Sequence, residues 1–190
     1  MSAHEIEWIE RPDRPLVLRR IAYTDCPRFI RKAFGPRRDL FELGDPLIWI
    51  WLDRWRCELK PGAISDLTSV PLVIPRWIAS RSTRTNHLDI GSKAHDMGHL
   101  GVVEFPGIPR GRRQNQYFDR MMLALWKAEW EPSPRAGTMR RWWQSGKPTR
   151  KYVGVRLAAP ILWRPDYDNL RPDWMIITDL QPQPPKESAP

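Results

Sequence analysis

The chain has 190 residues, 41% hydrophobic and 28% charged, which suits one folded domain with a proper core and excludes a disordered polypeptide. Its 20 prolines argue against a mostly helical bundle, because proline removes a backbone donor and blocks helix interiors. A net charge of +9, from 31 Lys and Arg against 22 Asp and Glu, points towards polyanionic partners or an arginine-rich soluble surface, and does not choose between them.

The 11 tryptophans serve either as core filling or as anchors in an assembly. Cys26 and Cys57 are the only cysteines, too few for a disulfide framework and without zinc-ribbon spacing. Residues 1–10 are polar and acidic, with no apolar segment of signal-peptide length, and no run approaches the ~20 apolar residues of a membrane span. The chain is therefore expected to be made in the cytoplasm, a location compatible with later incorporation into a virion.

In chain order, residues 1–15 read as an N-terminal arm with Pro12 and Pro15, and Leu16–Tyr23 as a strand. Asp25–Gly44 is basic and turn-rich and reads as a loop. Leu47–Leu52 is a short apolar run rich in Ile and Trp, bounded by Pro46 and Asp53, and is expected to be a strand. Arg54–Leu59 alternates and suits the next strand of a hairpin, closed by the turn signal Lys60-Pro61-Gly62. Thr85-Asn86 is placed to cap a helix over Leu88–Leu100. Gly101–Gly111 is a loop, and Arg112–Trp130 is the clearest helix, with Tyr117, Met121, Met122, Leu125 and Trp126 on one stripe. Further helices are expected over Arg135–Gln144 and Tyr152–Ala158. Residues 161–190 form a Pro-rich C-terminal arm with a strand candidate at Trp174–Ile177. Strands first and helices after give an α+β fold: a small N-terminal antiparallel sheet followed by three or four helices, in a single domain over 16–160.

Three segments carry residues suited to chemistry: Asp66–Pro71 after the Pro-Gly turn, Ala94–His99, and Phe118–Met122. A histidine near neutral pKa takes a proton from water most effectively when a carboxylate fixes its other nitrogen. A second carboxylate with loop carbonyls can hold a hard cation such as Ca²⁺. Asp66, His95, Asp96 and Asp119 supply those parts, and Ser69 and His99 lie close by in sequence. The bland alternative is that Asp66 and Ser69 cap backbone donors and that the His-Asp pair is a buried polar network. His95 and His99 share one helix face, and His-Asp-x-x-His is similar to a zinc helix with Asp96 in place of glutamate, although no clear third ligand follows in the sequence. The upstream group Asn86, His87 and Asp89 is a weaker start for a metal-dependent phosphohydrolase. The stretch Arg140-Arg141-Trp142-Trp143 with Lys147, Arg150 and Lys151 could stack on nucleic acid, lie on anionic lipid, dock on a protein, or form an amphipathic helix with its tryptophans inside.

Pro61-Gly62, then Asp66/Ser69/Pro71, then His95-Asp96, then Asp119 stand in the order found in a phage- and prophage-associated family, the DUF1353 proteins, which the segment Trp55–Trp126 resembles. More distantly, the pattern is similar to small prokaryotic-type secreted phospholipases of the A(2) class. That resemblance implies His95 as the base that activates water, Asp119 as its orienting partner, and Asp96 and Asp66 as ligands of Ca²⁺. The chain departs from those enzymes in lacking their bracing disulfides and in carrying His99 where an aromatic usually follows the Asp. Two functions from different classes follow. One is an accessory or virion-associated phage protein that retains a phospholipase-like site, with other assembly proteins, an anionic surface or a second copy of itself as partners. The other is an active metal-assisted hydrolase of lipid or cell-envelope esters.

Overall fold

The computed structural model describes residues 5–10, 17–34, 36, 39–66, 89–129, 149, 152–153 and 173–181. The described elements are β1 (Ile6–Glu10), β2 (Leu18–Ile21), a 3-10 turn (Tyr23–Asp25), α1 (Arg28–Phe34), β3 (Leu40–Leu43), β4 (Leu47–Trp51), β5 (Trp55–Leu59), β6 (Ile64–Ser65), α2 (Asp89–His99), α3 (Arg112–Glu129) and β7 (Met175–Asp179). All strand pairs are antiparallel, in a four-stranded sheet ordered β1-β4-β5-β7 and a three-stranded sheet ordered β2-β3-β6. The class is α+β, as the order of strand and helix signals implies.

The alternation that marks β4 and β5 in the sequence has a direct structural cause. Leu47, Trp49 and Trp51 on β4 and Trp55, Cys57 and Leu59 on β5 are buried, while Ile48, Ile50, Arg56 and Glu58 between them are half-buried on the other face. The register pairs Trp49 with Cys57 and Trp51 with Trp55, and Cys57 in turn faces Ile177 of β7. Large aromatics thus stack across neighbouring strands on the inner face, where cross-strand pairs contribute most. Phe105, from the loop between α2 and α3, closes this layer. Its ring centroid lies 5.5 Å from that of Trp51, 5.2 Å from Trp55, 5.3 Å from Tyr117 and 4.8 Å from Phe118. Among the described tryptophans, Trp49, Trp51, Trp55 and Trp126 are wholly buried, so core filling accounts for them. The Cys26 and Cys57 thiols are free and buried; burial raises the Cys57 pKa, and its sulfur lies 3.7 Å from that of Met121.

Two strands come from the segments expected to be terminal arms. β1 pairs with β4, and β7 pairs with β5, so both outer strands of the larger sheet lie outside the 16–160 span read as the domain. Arg54 fastens β7 with two hydrogen bonds to the Asp179 carboxylate, at 3.0 and 2.7 Å, and holds that carboxyl below its ordinary pKa. The basic stretch expected as a loop over 25–44 contains α1 and β3. α1 is under two turns long, but buries Ile30 and Phe34 one turn apart, and β3 takes the central place in the smaller sheet. Of the helix expected over Tyr152–Ala158, Tyr152 and Val153 are described and are helical; the helix expected over Arg135–Gln144, the cap at Thr85-Asn86, and the basic-aromatic group Arg140-Arg141-Trp142-Trp143 with Lys147, Arg150 and Lys151 fall outside the described residues. No described helix is long and apolar enough to cross a membrane.

The β4–β5 hairpin turns on Leu52 and Asp53, both with positive φ (55° and 50°), and the Arg54 amide donates to the Trp51 carbonyl across the turn at 3.2 Å. A branched residue such as leucine is poorly suited to the left-handed region. Leu52 is also 49% exposed, so little burial offsets the strain. Leu52→Asn is expected to raise stability by about 1 kcal/mol, seen as a higher urea midpoint at unchanged slope. A lower midpoint would show that the leucine side chain matters more than its backbone strain.

Candidate functional site

Helix α2 lies at the centre of the molecule, with every residue from Ile90 to Leu100 buried. A helix buried on all sides is ordinarily apolar. This one carries Ser92, Lys93, His95, Asp96 and His99 into the interior, and each must be partnered there. Lys93 binds the sheet side: its ammonium donates to the carbonyls of Phe41 (2.7 Å) and Ala63 (2.9 Å), tying α2 to β3 and to the residue before β6.

The opposite side of α2 faces α3. Gly91, His95 and Gly98 follow the helical repeat and form the contact face. A Cβ on Gly91 would stand 2.6 Å from the Trp126 ring and 2.8 Å from the Met122 carbonyl, and one on Gly98 would stand 2.2 Å from the Phe118 ring. The glycines therefore let the two backbones approach closely, and α2 runs antiparallel to α3. Glu129, at the end of α3, caps the start of α2, where its carboxylate accepts from the amides of Gly91 (3.0 Å) and Ile90 (3.4 Å). Gln114, in the first turn of α3, holds the intervening loop: its side chain accepts from the Phe105 amide and donates to the carbonyls of Phe105 and Ile108.

Between the two glycine contacts, His95 meets Asp119. His95 Nε2 lies 3.1 Å from Asp119 Oδ1, and its Nδ1 lies 3.5 Å from Asp96 Oδ1. His99, one turn further along α2, stacks on His95 with ring centroids 4.1 Å apart, and its Nε2 is 3.5 Å from the same Asp119 oxygen. Burial by itself would lower the His95 pKa. The hydrogen bond to Asp119, then that to Asp96, and the charges of both carboxylates outweigh it and raise the imidazole to about 9. His99 goes the other way: burial, followed by the neighbouring His95 charge, lowers it to about 4 despite Asp119. At neutral pH the pair is one imidazolium beside one neutral imidazole.

His95, Asp96 and Asp119 are therefore brought together as the sequence order implies, and His99 joins them. Asp66 is buried directly after β6 but does not belong to the group formed by His95, His99 and Asp119; Ser69, like Asn86 and His87, lies outside the described residues. Lys93, Gln114, Glu129 and the two glycines were not singled out in the sequence. The available signal was Gly91 and Gly98 inside a helix, where glycine costs about 1 kcal/mol against alanine and calls for a packing reason. Comparison of the chain with models of known families, with curated proteins and with solved structures found no match.

The Ca²⁺ that the phospholipase resemblance implies takes about six to eight oxygen ligands. The group of possible ligands gathered among the described residues offers two imidazole nitrogens and one carboxylate, with ligand atoms all within 4.8 Å of one another. That set does not match calcium, and no calcium-assisted step is derived from it.

Proposed function

We propose that this chain is a phage-type accessory protein whose working centre is a hydrolytic His95–Asp119 pair acting on esters. The observation that supports it is the 3.1 Å contact between His95 Nε2 and Asp119 Oδ1, which fixes the ring; Nδ1, 3.5 Å from Asp96 Oδ1, is the nitrogen that would exchange a proton with water. A polar centre built into the most buried of the described helices carries a folding cost that an apolar core avoids, and a working site accounts for it. The accessory role rests on the resemblance of the ordered motifs to those of phage-associated proteins and on the +9 charge, which suits an acidic or anionic neighbour in an assembly.

The enzymatic part is tested with His95→Asn. The wild type is expected to hydrolyse a short-chain chromogenic ester or anionic phospholipid vesicles about 10²- to 10⁴-fold faster than the variant. Because two carboxylates hold the His95 proton up to about 9, hydrolysis by the free imidazole is expected to rise with pH through that range. Equal rates for wild type and variant end the enzyme reading, and a calcium titration of the same assay tests the Asp66–Asp96 ligand expectation. The assembly part predicts copurification with phage particles, or self-association; a chain that stays monomeric and is absent from purified particles overturns it.

A further inference from the structure

We infer that His95, His99 and Asp119 form a binding site for one divalent transition-metal ion of the zinc class. The sequence offers two histidines one turn apart on a helix and no third ligand after them; the fold supplies the third from α3. Each residue presents one ligand atom, and the three lie within 4.8 Å of one another. A tetrahedral ion with bonds of ~2.0–2.1 Å places its ligands about 3.3 Å apart. The two carboxylate–imidazole distances, 3.1 Å for His95 Nε2 and 3.5 Å for His99 Nε2, bracket that spacing. Both imidazoles thus turn the same nitrogen towards one carboxylate oxygen, an arrangement that one cation at the focus would satisfy.

The surroundings fit the same reading. Ligand histidines usually direct their second ring nitrogen at a carboxylate, which sets the tautomer and the ring angle. Asp96 stands in that place, 3.5 Å from His95 Nδ1. The close approach at Gly98 brings α3 near enough for Asp119 to reach both histidines. Two nitrogens and one oxygen favour Zn²⁺, Co²⁺ or Fe²⁺ over the oxygen-seeking Ca²⁺ and Mg²⁺. Three protein ligands leave a coordination position open, which is the pattern of reactive rather than structural zinc sites.

This assignment deepens the hydrolytic reading, on which it rests for any catalytic use of the metal; His95, His99 and Asp119 would hold the ion, which would then supply the activation of water in place of the His95 imidazole. Binding itself is tested separately. The full chain, stripped with chelator, is titrated with Co²⁺ while its visible absorption is followed, then challenged with Zn²⁺ and with Ca²⁺. The expected result is one Co²⁺ per chain, displaced by Zn²⁺ and not by Ca²⁺, with affinity lowered at least 100-fold in His99→Gln and in Asp119→Asn. Circular dichroism checks that each variant keeps its fold, and His99→Cys, which restores a soft ligand, is expected to recover part of the affinity. No Co²⁺ or Zn²⁺ binding by the folded wild type, or binding that His99→Gln leaves unchanged, overturns the site. Ester hydrolysis by a protein that binds no metal overturns the site and leaves the His95–Asp119 pair standing; metal binding without hydrolysis supports the site and removes the enzyme reading.

Discussion

Replacing Gly98 by alanine is expected to cost about 3 kcal/mol of stability and to disable the site, although the substitution adds a single methyl group. The reason is local. The new Cβ would stand 2.2–2.4 Å from three atoms of the Phe118 ring, on a helix that has no solvent-facing side to shift towards. Relief requires α2 and α3 to move apart, which lengthens the 3.1 Å His95–Asp119 contact at the same interface. Urea unfolding of Gly98→Ala, Phe118→Ala and the double variant provides the check. Phe118→Ala alone leaves a cavity and is expected to cost about 3–5 kcal/mol. The double variant is expected to cost clearly less than the sum, because the methyl group partly fills the space that the ring vacates. Additive costs would mean that the two helices do not meet at this point.

A second large effect concerns pH. In the metal-free protein the folded-state pKa of His95, about 9, lies above the 6.5 of an unperturbed histidine. Folding therefore favours its proton, and the resulting stability is fully present below pH 6.5 and is lost as pH rises through 9. Linkage puts the loss at about 3 kcal/mol. His99 has the opposite sign. Its folded-state pKa, about 4, lies below 6.5, so below pH 6.5 the unfolded chain takes up a proton that the folded protein does not accept until about pH 4. Stability from this residue falls as pH drops across that window, by a similar amount. Together they predict a maximum near pH 6.5 with a decline on both sides. Asp119→Asn removes the strongest support of the His95 proton and is expected to cost about 3–5 kcal/mol at neutral pH, since it leaves a buried cation short of a partner. It is also expected to flatten the alkaline limb. Unfolding free energies measured from pH 4 to 10 would refute this account if the wild type were level between 6.5 and 9.

Much of this was legible in the sequence because the signals are local. Alternation over Leu47–Leu59 specifies a hairpin with one buried face, and the stripe on Arg112–Glu129 specifies a helix. The order His95-Asp96 and then Asp119 was legible as polar residues on two helices, and the structure brings those three side chains together. What escaped depends on opposition between distant segments. Asp119 shares a face of α3 with Met122 and Trp126, three and seven residues on, but that this face packs on α2 rather than on the sheet is not written in α3 alone. His99 shares a helix face with His95, and the carboxylate that both approach, Asp119, sits on another helix. Glu129 belongs to one helix and caps another. β1 and β7 are short strands in proline-rich surroundings, and their pairing with β4 and β5 is a property of the sheet rather than of either segment.

The outer strands of the larger sheet come from opposite ends of the chain, and this bears on the order in which the molecule can assemble. Arg54 and Asp179, which lock β5 to β7, are 125 residues apart. The α2–α3 hairpin needs only its own connecting loop to close and can form early, carrying the His95–Asp119 pair with it. Until β7 is in place, the β5 edge exposes an unpaired row of backbone donors and acceptors. Docking of β7 thus closes a long loop, and an open β5 edge is where pairing with a neighbouring copy competes with pairing within the chain.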